Sequence, residues 1–374
     1  MKKILYTATT HIHLLNFHLP YLRWFKEQGY EVHVACNGTE QMPFADVVHV
    51  VPFGRMPFDK GNQQAYKQLK QIIDSTHYDL IHCHTPMGGI VTRLAARRAR
   101  KRGTKVFYTA HGFHFYKGAS LKNWLVFFPI EWLFASFTDA IITINNEDFR
   151  VLSKFSFPVK GKFKTDGIGI NPDRIDLSPY NKEDVKQELG IPENHQVVLY
   201  IAEFIPRKNH RFIFDNIKEI LAKNPNLTFV FTGGQAKLGS VMSDFSQQNG
   251  FQSNVKIMGY QTEIAKFIAV ADFGISSSFA EGLPIGIAEQ MSVGLPVVIS
   301  NIRGHNELVE DSVNGFIFNL TDNVKFVNSL VAISQDETLR NRLGEAGKKS
   351  VKKFFIEKAL EATTEIYRKY LDVN

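Results

Sequence analysis

One stretch of the chain combines a strand, a loop and the start of a helix, and it carries a carboxylate on each side of the helix start. The strand is predicted at residues 273–276, and the stretch that follows reads Ser278-Phe279-Ala280-Glu281-Gly282-Leu283-Pro284-Ile285-Gly286-Ile287-Ala288-Glu289-Gln290. Proline is favoured at the first helical position, so Pro284 predicts that the helix begins between the two glutamates. Glu281 then lies in the loop, and Glu289 lies about one and a half turns inside the helix.

The same alternation of strand and helix extends over the whole chain. The other predicted strands are residues 3–9, 31–35, 80–84, 105–109 and 140–144, then 197–201, 227–232, 255–258 and 296–300. The predicted helices are residues 19–28 and 89–102, then 210–223, 263–270 and 285–292. Strands separated by helices of this length predict right-handed crossovers and a parallel sheet that is covered on both faces.

Two such series in succession predict an α/β protein with two doubly wound, Rossmann-like domains. Glycine, asparagine, proline and aspartate concentrate in residues 167–183, and we place the hinge near Ile175. The prediction is an N-terminal domain 1–175, a C-terminal domain 176–351, and a helix in 352–374 that packs back on the first domain. Because ligands of open α/β sheets bind at the carboxyl ends of the strands, we expect the active site in a cleft between the domains.

The composition indicates a globular enzyme without disulfide bonds. At 374 residues and 44% hydrophobic content, the chain is too long for one ordinary core. Cys36 and Cys83 are far apart and have no metal-ligand spacing, which argues against a disulfide framework or a structural zinc site. The apolar run at the N-terminus is too short for a signal peptide, and no window of about 18 apolar residues predicts a membrane span. These features predict a cytoplasmic protein.

The start of the predicted helix has the features of an anion site. The N–H groups of Ile285, Gly286 and Ile287 lack helical acceptors, and Gly286 has no side chain to obstruct a ligand. We expect a diphosphate there, with Glu289 in reach of an adjoining ribose diol. The alternative is that Glu281 is an ordinary loop residue and that Glu289 bonds to a neighbouring helix.

The motif Glu281-x7-Glu289 within two doubly wound domains resembles the nucleotide-sugar motif of retaining family 4 glycosyltransferases, which have the GT-B fold. The resemblance covers essentially the whole chain, and residues 17–20 and 84–89 resemble the capsule and exopolysaccharide members. It implies a hexosyltransferase that moves a sugar, an N-acetylhexosamine, from a UDP-sugar to a lipid-linked saccharide. It also implies front-face transfer with retention, in which the departing phosphate helps to deprotonate the acceptor.

A second stretch, residues 202–210, resembles the loop of this family that holds the donor phosphates. Lys208 matches the family lysine, whose ammonium group would stabilise the charge of the leaving diphosphate. Many members carry a Gly-Arg pair where this chain has Ala202-Glu203, which removes one cation. Either Arg207 supplies the missing charge, or Glu203 orders Lys208. The alternative is an ordinary Arg-Lys pair on the surface.

Histidines follow two predicted strands of the N-terminal domain. His111, rather than His114, resembles the family histidine that lines the donor sugar, and the alternative is a buried histidine with protein partners. His82 and His84 are expected to point to opposite faces of their strand and therefore not to share a metal. His84 is the one that we expect to face the cleft.

The resemblance gives roles to residues of both domains. The catalytic residues are His111, Lys208 and Glu281. The donor-binding residues are Arg207, Gly234, Gly259, Tyr260, Leu283, Pro284, Ile285, Gly286 and Glu289. The acceptor-side residues are Thr10, His13, His84 and His114, and Thr10 or His13 would compensate for the glycines that the first loop lacks. No Asp-x-Asp motif is present, so we expect no metal and no cofactor other than the UDP-sugar as co-substrate.

The charge distribution predicts a membrane partner. Residues 1–180 carry 23 Lys and Arg against 14 Asp and Glu, a net charge of +9, whereas the remaining residues carry −2. The cations at 97–102 and the Trp, Phe and Leu residues at 117–137 are typical of a surface that docks on an anionic leaflet, with core burial of the aromatic residues as the alternative.

The docking hypothesis adds an acceptor and a location. It predicts a polyprenyl-diphosphate-linked acceptor and a protein that is peripheral on the inner face of the cell membrane, with no nucleic-acid partner. Two other functions remain open: a non-catalytic nucleotide-sugar-binding subunit of a polysaccharide assembly complex, and a GT-B UDP-sugar epimerase.

Overall fold

The computed structural model describes residues 1–38, 41–56, 59–234 and 236–371 and divides the chain into two compact units. Unit 1 consists of Met1–Gly169 and Ile356–Asn374, and unit 2 consists of Ile170–Phe355. Each unit contains one parallel β-sheet whose strands alternate with helices. The predicted fold class, with two doubly wound parallel sheets, is confirmed.

The sheet of unit 1 has seven strands among the described residues. They are β1 (Lys3–Thr10), β2 (Glu31–Asn37), β3 (Val47–Val50), β4 (Leu80–His84), β5 (Lys105–Ala110), β6 (Ala140–Thr143) and β7 (Gly161–Lys164). The helices between them are α1 (His11–Phe17), α2 (Leu19–Glu27), α3 (Gly61–Ser75), α4 (Pro86–Ala95), α5 (Arg97–Lys101), α6 (Leu121–Ala135) and α7 (Asn146–Lys154). The strand order is β3-β2-β1-β4-β5-β6-β7, so the direction of winding reverses between β1 and β4. Ligands of such sheets bind at the carboxyl ends of the strands at this switch point.

The sheet of unit 2 repeats this topology with six strands among the described residues. They are β8 (Gln196–Ile201), β9 (Leu227–Thr232), β10 (Val255–Ile257), β11 (Phe273–Ser276), β12 (Val297–Ser300) and β13 (Phe316–Phe318). The helices are α8 (Lys182–Glu188), α9 (His210–Lys223), α10 (Ala236–Gln248), α11 (Ile264–Val270), α12 (Ile285–Ser292), α13 (His305–Leu308), α14 (Asn323–Gln335) and α15 (Glu337–Ser350). The order β10-β9-β8-β11-β12-β13 places the switch point between β8 and β11.

The central strands are apolar on both faces because helices cover both faces. In β1, Leu5 packs into the core on the side of α3, whereas Tyr6 packs on the opposite side with Phe25 of α2. All five residues of β4 are buried. Continuous burial of this kind is typical of parallel sheets, and burying one Leu or Val side chain stabilises a fold by about 1.5–3 kcal/mol.

The chain returns to unit 1 through the helix α16 (Ile356–Arg368). Its Tyr367 is buried beside Tyr6, and its hydroxyl group lies 2.7 Å from His82 Nδ1. The helix is shorter than the predicted 352–374, because residues 351–354 form a 3-10 turn in unit 2, and residues 372–374 lie outside the described residues. The unit boundary lies at Gly169–Ile170, six residues before the predicted Ile175, because Ile170 pairs with Phe355 within unit 2.

The sequence pattern missed several elements. The three short strands β3, β7 and β13 have three or four residues each, too few for a periodic pattern. Among the helices, α1, α3, α6 to α8, α10, α14 and α15 were not predicted as helices. The single helix expected at 89–102 is two helices, α4 and α5, and α4 begins at Pro86, a favoured first residue.

Candidate active site

Two loops at the carboxyl ends of β8 and β11 bring three charged side chains together in unit 2. Arg207 and Lys208 lie in a short 3-10 turn, and Glu281 lies in the loop between β11 and α12. Lys208 Nζ is 2.6 Å from Glu281 Oε1, and Arg207 Nη1 is 3.1 Å from Glu281 Oε2. Ser278 Oγ also donates to Glu281 Oε1, at 2.7 Å. Both carboxylate oxygens of Glu281 therefore have protein donors.

Glu281 is ionised although its side chain is only 7% exposed. Burial raises the pKa of its carboxyl group, but the charges of Lys208 and Arg207 outweigh burial and hold this pKa at about 2. The ammonium group of Lys208 is fixed by this carboxylate. Glu203, the partner that the sequence suggested for Lys208, is exposed, and Glu281 forms the ion pair instead.

The loop after β12 supports the backbone of Glu281. Gly304 has a φ of 85°, and a Cβ atom there would lie 2.8 Å from the carbonyl oxygen of Glu281. Arg303 Nε donates to the same carbonyl at 3.0 Å. His305 is fully buried with Nδ1 2.8 Å from the Ser300 carbonyl, whereas no described residue bonds to its Nε2. Sequence reasoning missed His305, and the signal that could have found it is the glycine before α13.

A cavity of about 220 Å³ lies between this ion pair and the first turn of α12, and Leu283 is part of its lining. The N–H groups of Ile285 and Gly286 have no acceptor among the described residues. The N–H of Ile287, by contrast, donates to the Pro284 carbonyl at 3.2 Å. The prediction of three free N–H groups was therefore wrong by one, because Pro284 caps the helix instead of forming its first turn.

The helix α12 packs closely on β8 and buries Glu289. A Cβ atom on Gly286 would lie 3.1 Å from the Cβ of Ile201, a tight contact that a larger residue could make only if Ile201 shifted. Glu289 is 9% exposed, and no hydrogen bond to its carboxyl group is formed by the described residues. Burial raises the pKa of Glu289 to about 7, although the charge of Arg174 opposes the shift. This carboxyl group therefore has oxygens available for a ligand.

The loops after β9 and β10 lie at the same edge of the sheet. Gly233 donates its N–H to the Gly259 carbonyl at 2.7 Å, and Phe204 donates to the Gly234 carbonyl at 2.9 Å. These bonds tie the loops that contain the predicted donor-binding residues Gly234 and Gly259 to the loop after β8. Tyr260, also predicted to bind the donor, is 77% exposed.

In unit 1, a cavity of about 560 Å³ with a mostly apolar lining lies at the carboxyl ends of β1, β4 and β5. Three predicted acceptor-side residues, Thr10, His13 and His114, line it. The fourth, His84, is buried and is not part of the lining formed by the described residues. No glycine-rich loop follows β1, since α1 begins directly at His11.

Glu131, which lines this cavity, is part of a buried ion pair. Arg93 of α4 is fully buried, and its Nη2 lies 2.8 Å from Oε2 of Glu131 on α6. Arg93 Nε also donates to the Gly89 carbonyl at 3.0 Å, and its guanidinium group lies 4.0 Å from the ring centroid of Tyr108. The ion pair therefore ties α4 to α6 along the wall of the cavity.

His111 belongs to a group of histidines beside the cavity. Its Nε2 lies 3.3 Å from His13 Nε2 and 3.3 Å from His84 Nδ1, and burial holds its pKa well below the usual range. The ring centroids of His82 and His84 are 4.2 Å apart. The expectation that they point to opposite faces was wrong, because residues two positions apart on a strand share a face. Both nitrogens of the His82 ring have hydroxyl partners.

The predicted docking surface is partly core and partly exposed. Trp124, Phe127 and Phe128 pack against the core beside β5. The apolar side chains of α6 that stay exposed are Leu121, Leu125, Val126, Trp132 and Leu133. In the basic run, Arg97 lies over the Phe137 ring, Arg100 pairs with Asp139 and Arg102 pairs with Asp74. Three of its cations therefore already have protein partners. Across the described residues, we find no helix with the length and apolarity that a membrane span requires.

Comparison with known protein families gives two matches that together cover most of the chain. Residues 3–145 match the model described as glycosyl transferase 4-like, and residues 181–350 match the model described as glycosyl transferases group 1. The first match falls within unit 1 and the second within unit 2.

Individual relatives extend over both units. The chain is 37% identical to the putative glycosyltransferase EpsD of Bacillus subtilis over 374 residues, which cover 100% of this chain and 98% of the relative. It is 29% identical over 309 residues to a UDP-Gal:alpha-D-GlcNAc-diphosphoundecaprenol alpha-1,3-galactosyltransferase of Escherichia coli, covering 80% of this chain and 77% of the relative.

Solved structures share the fold. Anabaena HepE in complex with UDP and glucose matches with a TM-score of 0.80 at 20% identity, over 99% of this chain and 100% of that one. Sucrose-phosphate synthase from Thermosynechococcus elongatus matches with a TM-score of 0.78 at 17% identity, over 99% of each chain.

Proposed function

The chain belongs to the group 1, family 4-like glycosyltransferases with the GT-B fold, and on this premise we propose that it is a retaining hexosyltransferase that uses a UDP-sugar and needs no metal at its diphosphate site. The acceptor is a lipid-linked saccharide of bacterial exopolysaccharide or capsule synthesis. The observation that carries the proposal is the Lys208–Glu281 ion pair, which fixes an ammonium group beside a cavity at the switch point of unit 2. HepE, whose structure contains UDP, shares this fold.

The diphosphate occupies the cavity between Lys208 and the start of α12. The ammonium group and the free N–H groups of Ile285 and Gly286 supply positive charge and donors without a metal. Arg207 adds a second cation, and half of its side chain is exposed. When the bond from the sugar to the phosphate breaks, Lys208 stabilises the new negative charge, which is the electrostatic part of catalysis.

Glu289 binds the ribose. Its buried carboxyl group has no hydrogen-bond partner among the described residues, and a ribose diol would supply two O–H donors. These donors favour the ionised form of a carboxyl group whose pKa is raised to about 7. UDP binding is therefore expected to strengthen as the pH rises through 7.

The transfer needs no protein nucleophile. The bond between the sugar C1 and the phosphate oxygen breaks, and the bond between C1 and the acceptor oxygen forms on the same face of the sugar. The departing phosphate oxygen takes the proton of the acceptor hydroxyl group. Glu281 keeps Lys208 in place during this step, since both carboxylate oxygens are held by protein donors.

The acceptor occupies the larger cavity of unit 1, whose mostly apolar lining suits the part of a polyprenyl chain nearest its diphosphate. The exposed apolar residues of α6 adjoin this cavity through Phe127 and Ile130 and suit the inner leaflet of the cell membrane. A relative that acts on a diphosphoundecaprenol-linked sugar supports this acceptor class. The donor sugar that we propose is an N-acetylhexosamine, and galactose is the competitor that this relative suggests.

The test is a turnover assay with purified protein, a panel of UDP- and GDP-sugars, and a polyprenyl-diphosphate-linked acceptor. We expect acceptor-dependent UDP release, a product with the anomeric configuration of the donor by NMR, and no stimulation by added Mg²⁺ or Mn²⁺. Tight UDP binding without release at any acceptor would overturn the proposal in favour of a binding subunit. Conversion of the donor sugar without an acceptor would instead indicate an epimerase.

A further inference from the structure

Four histidine side chains converge at the switch point of unit 1. His13 lies in α1, directly after β1, and His18 lies between α1 and α2. His84 ends β4, and His111 follows β5. One ring nitrogen from each of the four lies within 4.8 Å of those from the other three. Elements from three neighbouring strands thus present imidazole groups to one point.

The contacts within this histidine cluster form a chain. His18 Nε2 is 3.2 Å from His13 Nε2, His13 Nε2 is 3.3 Å from His111 Nε2, and His111 Nε2 is 3.3 Å from His84 Nδ1. Four nitrogens at about 2.0–2.1 Å from a tetrahedral Zn²⁺ lie about 3.3–3.4 Å from one another. The three distances therefore match three of the six edges of a zinc tetrahedron, and the four ligand nitrogens all lie within 4.8 Å of one another.

Hydrogen bonding alone does not account for this chain. A nitrogen of a neutral imidazole ring either carries one proton or offers one lone pair, so it takes part in one good hydrogen bond. In a chain of four nitrogens, the two outer contacts can both be hydrogen bonds. His13 Nε2 and His111 Nε2 have then each used their proton or lone pair, and no hydrogen bond can form between them.

The rings are neutral, which is the form that binds a metal. Burial is the main cause that lowers the pKa of all four imidazole groups, to about 4 for His13 and well below the usual range for His18, His84 and His111. A neutral ring keeps one lone pair for coordination. His13 and His111 are only partly buried, so a cation has a path from solvent to the cluster.

We propose that His13, His18, His84 and His111 bind one divalent cation of the Zn²⁺ class with tetrahedral geometry. Imidazole nitrogens suit Zn²⁺, Co²⁺ or Ni²⁺ rather than Mg²⁺ or Ca²⁺, which prefer oxygen ligands. Four protein ligands fill a tetrahedral site, so the cation is structural rather than catalytic. This inference does not depend on the proposed sugar transfer.

The cation would link the segments that follow β1, β4 and β5. One of them contains Thr85, whose φ of 64° is uncommon for a β-branched residue and which Thr9 Oγ1 contacts at 2.7 Å. Metal binding would hold this strained segment in place. It would also fix His13, which lines the larger cavity. It would also occupy Nε2 of His111, which is then not available to a sugar hydroxyl group.

The test uses full-length protein without a histidine tag and measures the metal itself. We expect one Zn²⁺ per chain by elemental analysis after dialysis, and the visible absorption of tetrahedral Co²⁺ after exchange. His18→Asn and His84→Asn should weaken Zn²⁺ binding at least tenfold in competition with a chromophoric chelator. The control is His77→Asn, which changes an exposed histidine of the same unit and should bind as the wild type does.

The inference fails if the folded wild-type protein takes up no Zn²⁺ or Co²⁺ at micromolar concentration. It also fails if His18→Asn and His84→Asn, shown by circular dichroism to be folded, retain wild-type affinity. Where the variants do not fold, the Co²⁺ spectrum of the wild type decides, because octahedral Co²⁺ or none contradicts a site of four imidazoles.

Discussion

The two switch points share one topology and differ in their chemistry. In unit 2, Lys208, Arg207 and Glu281 form an ionised group beside a cavity of about 220 Å³. In unit 1, neutral imidazole rings border a cavity of about 560 Å³ with a mostly apolar lining, and the ionised pair Arg93–Glu131 is buried in the wall. The strand order thus determines where a site lies but not which ligand it binds. The charge of the loops selects the ligand. A diphosphate suits the first site, and an apolar chain suits the second.

The largest expected effect concerns the buried ion pair beside the neutral site. Arg93→Ala leaves Glu131 buried without its partner, and breaking a buried pair costs about 3–5 kcal/mol of the free energy of unfolding. The measurement is urea unfolding followed by circular dichroism. The control is Arg97→Ala, an exposed arginine over the Phe137 ring, which should cost about 1 kcal/mol or less. The double variant Arg93→Met/Glu131→Met should recover most of the loss, and a failure to recover would show that the arginine acts through other contacts.

The charged site should respond most strongly to the loss of Lys208. Lys208→Ala removes the ammonium group beside the cavity, and losing one such preorganised group lowers kcat by about 10²–10³, or roughly 2.7–4 kcal/mol. Steady-state kinetics with the UDP-sugar measure this effect. Lys218→Ala, an exposed lysine on α9, is the matched control and should leave kcat unchanged. A rise in donor KM with an unchanged kcat would contradict the catalytic role.

Glu289 should make stability depend on pH in the direction opposite to Glu281. Its pKa is about 7 in the folded chain and near 4.5 when exposed, so the folded state keeps a proton that the unfolded state releases. Stability is therefore greatest below about pH 4.5 and falls by up to about 3 kcal/mol as the pH rises to 7. Thermal melts of wild type and Glu289→Gln between pH 5 and 8 measure this slope.

The glutamine variant should lack this slope, because its side chain does not titrate. Glu263→Gln changes an exposed glutamate of unit 2 and should keep the wild-type slope. Equal slopes in wild type and Glu289→Gln would mean that this carboxyl group is not buried in the folded protein.

The same residue should affect donor binding. Glu289→Ala removes hydrogen bonds from a charged group to the ribose, which are worth about 1.5–3 kcal/mol and raise the donor KM by about tenfold or more. kcat should change little, in contrast to Lys208→Ala. The check is the pair of constants for both variants, and small equal effects on both constants would contradict the separate roles.

The smallest effect is expected at the exposed surface of α6. Leu121→Ser/Leu125→Ser removes two exposed apolar side chains one turn apart and should weaken sedimentation with anionic liposomes several-fold. Activity on a water-soluble acceptor analogue should stay as in the wild type. The control is Val241→Ser, which changes an exposed apolar residue of unit 2. Equal loss in both variants, or no liposome binding by the wild type, would contradict membrane docking.

The charged site was easier to predict from sequence than the neutral one. Lys208, Glu281 and Glu289 follow predicted strands in stretches that resemble the motifs of the family, and this resemblance selected them. The raised pKa of Glu289 depends on the burial of its side chain in the folded chain, which no spacing shows.

The histidine cluster was only partly visible in the sequence. His13, His84 and His111 were selected one by one. His18 was not selected as a site residue, because it lies in a helix junction and follows no predicted strand, although residues 17–20 carried part of the resemblance. Their convergence depends on crossovers that place β1, β4 and β5 side by side. The sequence analysis wrongly expected His82 and His84 on opposite faces of their strand. This error came from a wrong use of strand geometry, because the two-residue spacing was known from the sequence.

The return of the chain to unit 1 has a consequence for synthesis. Unit 2 is complete once residues 170–355 have been made, whereas the core of unit 1 also needs Tyr367 of α16, which packs against Tyr6 and bonds to His82. Domains fold as units while the chain is being made. On the ribosome, the second domain can therefore finish folding before the first, and the first exposes the groove for α16 until that helix has been made.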